Sequence, residues 1–284
     1  MVGVEAATPA LLSDDRRVGG GPFNAFAAAR AQLGLVALLL VSAALAWWAT
    51  VRQMAGMDAG PGTDLGALGW FVGIWVVMMA AMMFPSAAPT VALYARMTQR
   101  RGLLRPLLFT GSYLLVWSAV GVVSYGLLEL GKGLFSSQLA WDNGGRWFAA
   151  ALLAIAAVYE LTPLKDVCLA KCRSPLGFLI GSWRDGRAGA LEMGAKHAAW
   201  CVGCCWALMA ALFALGVMSL VWMAVVAAFI AAEKTLPWRR TVVWGTTAVL
   251  LALAVMFVAA PHAVPGLVVP GSANNGAGDM RMTP

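Results

Sequence analysis

At 284 residues, 61% hydrophobic and only 12% charged, with a mean hydropathy of +0.78, the chain lies far from a soluble domain, in which charged residues run near a quarter. A net charge of +7 gives no reason to invoke nucleic acid, because the basic residues lie between apolar runs and form no single patch. The composition is that of a polytopic membrane protein.

Seven segments are apolar over the roughly 20 residues needed to cross a hydrocarbon core. They lie near 33–51, 65–84, 107–129, 147–163, 197–215, 218–235 and 241–260. The expected fold is therefore all-α, a transmembrane bundle of about seven helices in a single domain over 33–260. Sixteen of the 20 Lys and Arg fall on one side of this arrangement, from Arg16 and Arg96 to Lys165, Lys196 and Lys234; Arg52, Lys132, Arg146 and Arg281 fall on the other. Positive charge is retained in cytoplasmic loops. The asymmetry predicts a cytoplasmic N-terminus and an external C-terminus.

Residues 1–32, rich in Ala and Gly, read as a disordered cytoplasmic tail. A cleaved signal peptide is the rival reading, with Leu33 to Val41 as its apolar core and Ala44-Leu45-Ala46 as the cleavage site, but the apolar run continues through Trp47 and Trp48. Beyond the first helix, Met54 and Met57 sit beside Asp58 and Asp64, a loop able to capture a metal on the outer side or simply to turn. Gly66, Gly69 and Gly73 open the second helix with the small-xxx-small spacing of a close-packing face.

That helix ends Met78-Met79-Ala-Ala-Met82-Met83-Phe-Pro85-Ser-Ala-Ala-Pro89, where the two prolines are expected to break it. Thioethers are soft ligands suited to Cu(I). Methionine is also a common filler of irregular interiors, so the cluster has both readings. The fourth segment ends at Glu160 and is followed by Cys168 and Cys172, four residues apart and hence one helical turn apart if that stretch is helical. On the cytoplasmic side these thiols should be reduced.

The fifth segment opens with His197-Ala-Ala-Trp-Cys201-Val-Gly-Cys204-Cys205-Trp. On a helix its four donors span an arc of about 100°. Free cysteine packs well in helix interiors, yet four soft donors on one arc point to a metal or redox site. The sixth segment ends with Glu233-Lys234, either an ion pair at the membrane edge or a carboxylate turned inward to pair with His197 or carry a proton; Glu160 at the matching depth has the same two readings. Residues 261–284 read as a flexible external tail. No nucleotide-binding loop or serine triad pattern occurs, which speaks against an ATP-driven pump within this chain.

Cys201-x-x-Cys204 also fits a thiol oxidoreductase, and the N/S donors admit a structural zinc or an iron–sulfur cluster. The nearby methionines favour Cu(I). The candidate ligands are thus His197, Cys201, Cys204, Cys205, Cys168, Cys172, Met78, Met79, Met82 and Met83. Glu160 and Glu233 are candidates for supporting or proton-carrying roles.

The run Met78 to Pro89, the run Leu161 to Pro175 with its two cysteines, and His197 to Trp206 followed by Glu233-Lys234 resemble a bacterial family of predicted metal-binding integral membrane proteins. The similarity covers roughly Met54 to Arg240 and implies a helical inner-membrane protein that binds a metal. The expected function is copper handling, by transport or by delivery to a metalloenzyme or its assembly partner. A membrane thiol oxidoreductase and a metal-clamped subunit of a larger complex are the alternatives.

Overall fold

The computed structural model describes residues 22–54, 66–98, 102–135, 144–216 and 219–260. These residues form helices α1 (Pro22–Met54), α2 (Leu68–Thr98), α3 (Leu104–Phe135), α4 (Arg146–Glu160), α5 (Pro163–Arg173), α6 (Pro175–Ser182), α7 (Gly186–Leu215), α8 (Leu220–Thr235) and α9 (Arg239–Ala259), with no strand among them. Each of the seven predicted segments is helical over most of its described residues, though 147–163 crosses a turn from α4 into α5. Among the described residues the number able to cross a membrane is smaller: five are long and apolar enough, within α1, α2, α3, α7 and α9, and α4 with α5 makes a sixth only as a span bent by 66°. At 16 residues, α8 is about 24 Å long, short of a hydrocarbon core.

The outer surface is apolar, as a bilayer solvent requires. Leu115 is 71% exposed, and Val123, Leu127 and Val255 are also exposed on membrane-length helices. The interior is organised around α7, which packs against α3, α4, α5 and α8, while α2 lies between α1 and α3 and α9 covers α4. α2 reaches α7 through long side chains: Trp75 stacks on Phe213 at 5.8 Å, and its indole N–H donates to Trp117 O of α3 at 2.9 Å.

Three expectations change. The prolines do not end the second helix, since α2 continues through Pro85 and Pro89 to Thr98. In a membrane a proline's freed carbonyls are tolerated within a packed helix bundle, and α2 is buried on both sides of the prolines, at Met83, Phe84, Ala87 and Ala88. Gly69 and Gly73 are not a close-packing face, because a Cβ at either would meet nothing within 4 Å. The close approach of backbones occurs at Gly194, where a Cβ would strike Ser112 and the Phe109 carbonyl of α3. Finally, α1 begins at Pro22 and α7 at Gly186. The first helix therefore takes in residues assigned to a tail, and His197 lies well inside its helix. Residues 1–21 and 261–284 lie outside the described residues.

The turn between α4 and α5 follows from Leu161-Thr162-Pro163. Proline forces its predecessor into extended backbone, and Thr162 adopts φ −77° and ψ 146°. Its Oγ1 then accepts from the Lys165 N–H at 3.3 Å, capping α5 with Pro163 in the first turn. At the other end, Arg173 donates to the carbonyls of Glu233 at 2.7 Å and Leu236 at 2.6 Å. A guanidinium there satisfies carbonyls at the end of α8 and ties α5 to it.

Candidate metal centre

Because 201, 204 and 205 share one side of α7, its inward face carries three thiols. Their Sγ atoms all lie within 4.8 Å of one another, with Cys204 and Cys205 3.3 Å apart. All three are buried and unbonded to one another as disulfides.

Other helices close around them. α5 buries Lys165, Cys168, Leu169 and Cys172 on one face, and Cys172 Sγ lies 3.7 Å from Cys204 Sγ. Met83 of α2 brings its Sδ to 3.9 Å from Cys201 Sγ. The Tyr113 hydroxyl of α3 hydrogen-bonds Cys201 Sγ at 3.0 Å. From α8, Lys234 Nζ donates to Cys201 Sγ at 3.1 Å and to Ser86 Oγ at 3.3 Å. Cys201 is thus flanked by a thioether, a phenol and an ammonium, each from a different helix.

The other predicted residues are placed differently. Cys168 is buried on the same face of α5 as Cys172, but its neighbour is Gly203, where a Cβ would lie only 2.7 Å from its sulfur. The Tyr159 hydroxyl donates to Gly203 O at 2.5 Å, so α4, α5 and α7 meet at this glycine. Gly203→Ala should lower stability by about 1–3 kcal/mol, the usual result of overpacking; a denaturation midpoint checks it.

Met78, Met79 and Met82 are buried in the same core as the thiols. His197 is set apart from the three mutually close thiols. It lies among Phe178, Tyr113 and Phe109, with ring centroids 4.9, 5.8 and 5.9 Å away, and its Nδ1 is buried without a partner. Met54 is the last residue of α1, and Met57 lies outside the described residues.

Glu233 does not form its ion pair with Lys234. It meets Lys165 at 2.8 Å, and the same ammonium pairs with Glu160, so one lysine joins two carboxylates from α4 and α8 with all three groups buried. Adjacent residues on a helix point about 100° apart, which turns Glu233 toward α5 and Lys234 toward the thiols. Sequence reasoning missed Tyr113, Ser86 and Lys165, and no local spacing marks them. Their roles arise from contacts with residues far along the chain.

Among the described residues, the donors around Cys201 are sulfurs and the Tyr113 phenol, with no carboxylate oxygen. Such a set prefers soft ions and rejects hard ones. The ammonium of Lys234 offsets the negative charge that a metal–thiolate centre carries.

Comparison with curated proteins and with solved structures returns no match. Residues 72–257, from within α2 to within α9, match the family described as PpoB2, copper chaperone, and the chain belongs to this copper chaperone family.

Proposed function

We propose that this protein is a membrane-embedded copper chaperone that holds Cu(I) at Cys201, Cys204 and Cys205, with Cys172 and Met83 alongside, and passes it to a partner that assembles a metalloenzyme. The observation that carries this reading is the buried thiol triad on a helix of membrane-spanning length, in a chain of the copper chaperone family. Thiolate and thioether together suit Cu(I); a thioether 3.9 Å from a thiol argues for Cu(I) over zinc or an iron–sulfur cluster.

Arg16, Arg17 and Arg30 before the first apolar run, against Arg52 alone at its end, support a cytoplasmic N-terminus. In that orientation Met54 and Met57 offer a first capture point on the outer side, and ligand exchange carries copper inward toward the thiols. Glu160 and Glu233 serve the centre indirectly. By gripping Lys165 they fix α5 against α4 and α8, and so hold Cys172 and Lys234 at their distances from the thiols.

Detergent-purified protein, reduced and titrated anaerobically with Cu(I), should bind near-stoichiometric copper by elemental analysis. Folded protein that takes up no copper and forms a Cys201–Cys204 disulfide on oxidation would overturn the proposal in favour of an oxidoreductase. Unaltered copper accumulation in cells lacking the protein would count against transport while leaving delivery within the membrane.

The methionines make a sharper prediction. Met83→Leu conserves volume, so folding should be preserved, but Cu(I) affinity should fall by about tenfold, about 1.4 kcal/mol, with Zn(II) affinity unchanged. Met78→Leu should change neither. Competition titrations with a Cu(I) chelator and a Zn(II) chelator measure both; equal weakening of the two metals by Met83→Leu would remove Met83 from the donor set.

A further inference from the structure

Soft donors on α7 extend beyond the thiol triad. Met193, His197, Cys201, Cys205 and Met209 recur every four residues, and none is more than 4% exposed. Each step advances about 6 Å and turns about 40°. The five buried donors therefore wind about 160° around the helix over about 24 Å, most of the thickness of a hydrocarbon core.

Packing alone leaves His197 unexplained. A buried polar atom without a partner is destabilising, and leucine would fill the same space. Yet His197 Nδ1 is buried and unpartnered, and its neighbours Phe109 and Phe178 offer no hydrogen-bonding atom. Tyr113, whose ring also faces His197, has its hydroxyl on Cys201. One turn further from the thiols, Met193 shares the Phe109 and Phe178 cluster, and its Sδ accepts the Arg184 N–H at 3.4 Å. The Arg184 side chain is 62% exposed, so this end of the series lies next to the protein surface.

We infer that His197 and Met193 form a transfer arm through which Cu(I) leaves the thiol centre toward the Arg184 end of α7. The inference rests on the thiol triad being the Cu(I) site. At each step a bond to the next donor forms before the previous one breaks, and copper stays Cu(I), so no electron moves. Imidazole and thioether hold the ion as neutral donors. Thiols release protons to water as Cu(I) binds and regain them as it departs, so one round of loading and release is proton-neutral.

The test isolates the donor atom from the shape of the side chain. Reduced full-length protein loaded with one Cu(I) is mixed with excess bathocuproine disulfonate, and the coloured complex is followed in time. His197→Leu and Met193→Leu should bind the same amount of copper as wild type, with a denaturation midpoint no lower, but release it at least tenfold more slowly. His197→Met, nearly the same size as leucine but bearing a sulfur donor, should restore most of the rate.

Release within twofold of wild type in both leucine variants would overturn the arm. So would equal slowing in His197→Leu and His197→Met, which would mark a packing effect. Wild-type protein that binds no Cu(I) would instead defeat the thiol centre itself, so the two failures are distinguishable.

Discussion

Cys201→Ser combined with Cys204→Ser is expected to reduce bound copper from near one per chain to near zero. The two substitutions leave Cys205 as the last thiol of the triad and remove both the sulfur that Tyr113, Lys234 and Met83 surround and the sulfur 3.7 Å from that of Cys172. A serine hydroxyl is a hard, neutral donor and does not replace a thiolate for Cu(I). Buried hydroxyls can also destabilise by about 1–3 kcal/mol when they lack partners. Cys201→Ala with Cys204→Ala therefore provides the companion variant, which should lose copper equally without that penalty. Elemental analysis after anaerobic loading, alongside a denaturation midpoint, reads both quantities. Full copper retention in folded protein of either variant would place the centre elsewhere.

Lys165→Met is expected to destabilise the protein by about 3–5 kcal/mol, the range found when one partner of a buried ion pair is removed. Lys165 is fully buried and pairs with Glu160 and Glu233, whose other carboxylate oxygens are themselves buried and unpartnered. Removing the ammonium leaves two acids facing each other with no cation between them. Replacing all three groups, by Glu160→Gln, Lys165→Met and Glu233→Gln together, removes the uncompensated charge and should recover much of the lost stability. Denaturation of the reduced protein in mixed micelles measures the difference. A single variant as stable as wild type would show that Lys165 compensates no ionised carboxylate there. The same experiment reports on the site, because Lys165 sits on the face of α5 that also presents Cys172. A destabilised Lys165→Met protein should accordingly bind copper more weakly at the temperatures where it remains folded.

Much of the chain's organisation was legible from residue spacing. The four-residue interval between Cys168 and Cys172 predicts a shared face if the stretch is helical, and α5 buries both. The arc of Cys201, Cys204 and Cys205 follows from 100° per residue, and those three thiols are the group that converges. Helix limits were less legible. Pro85 and Pro89 look like a stop, but α2 passes through both, buried among the surrounding helices.

His197 shows where spacing runs out. Its angle on α7 matches that of the thiols, but it stands one turn along the axis from Cys201, and Phe109 and Phe178 arrive from α3 and α6 to enclose it. Glu233 and Lys234 show the same limit. Adjacency in sequence suggests a pair, whereas the helix points them apart, one to Lys165 and the other to Cys201.

By itself, the sequence determined that this is an all-helical, membrane-type chain, that thiols share a face of α7 and that methionines cluster on α2, because each is a property of one helix and its period. Only the tertiary structure decided which helices face that thiol cluster, that Tyr113 and Lys234 reach Cys201, and that Lys165 joins two distant carboxylates. Those contacts link residues up to 118 positions apart, and they are fixed by how whole helices pack rather than by any local repeat.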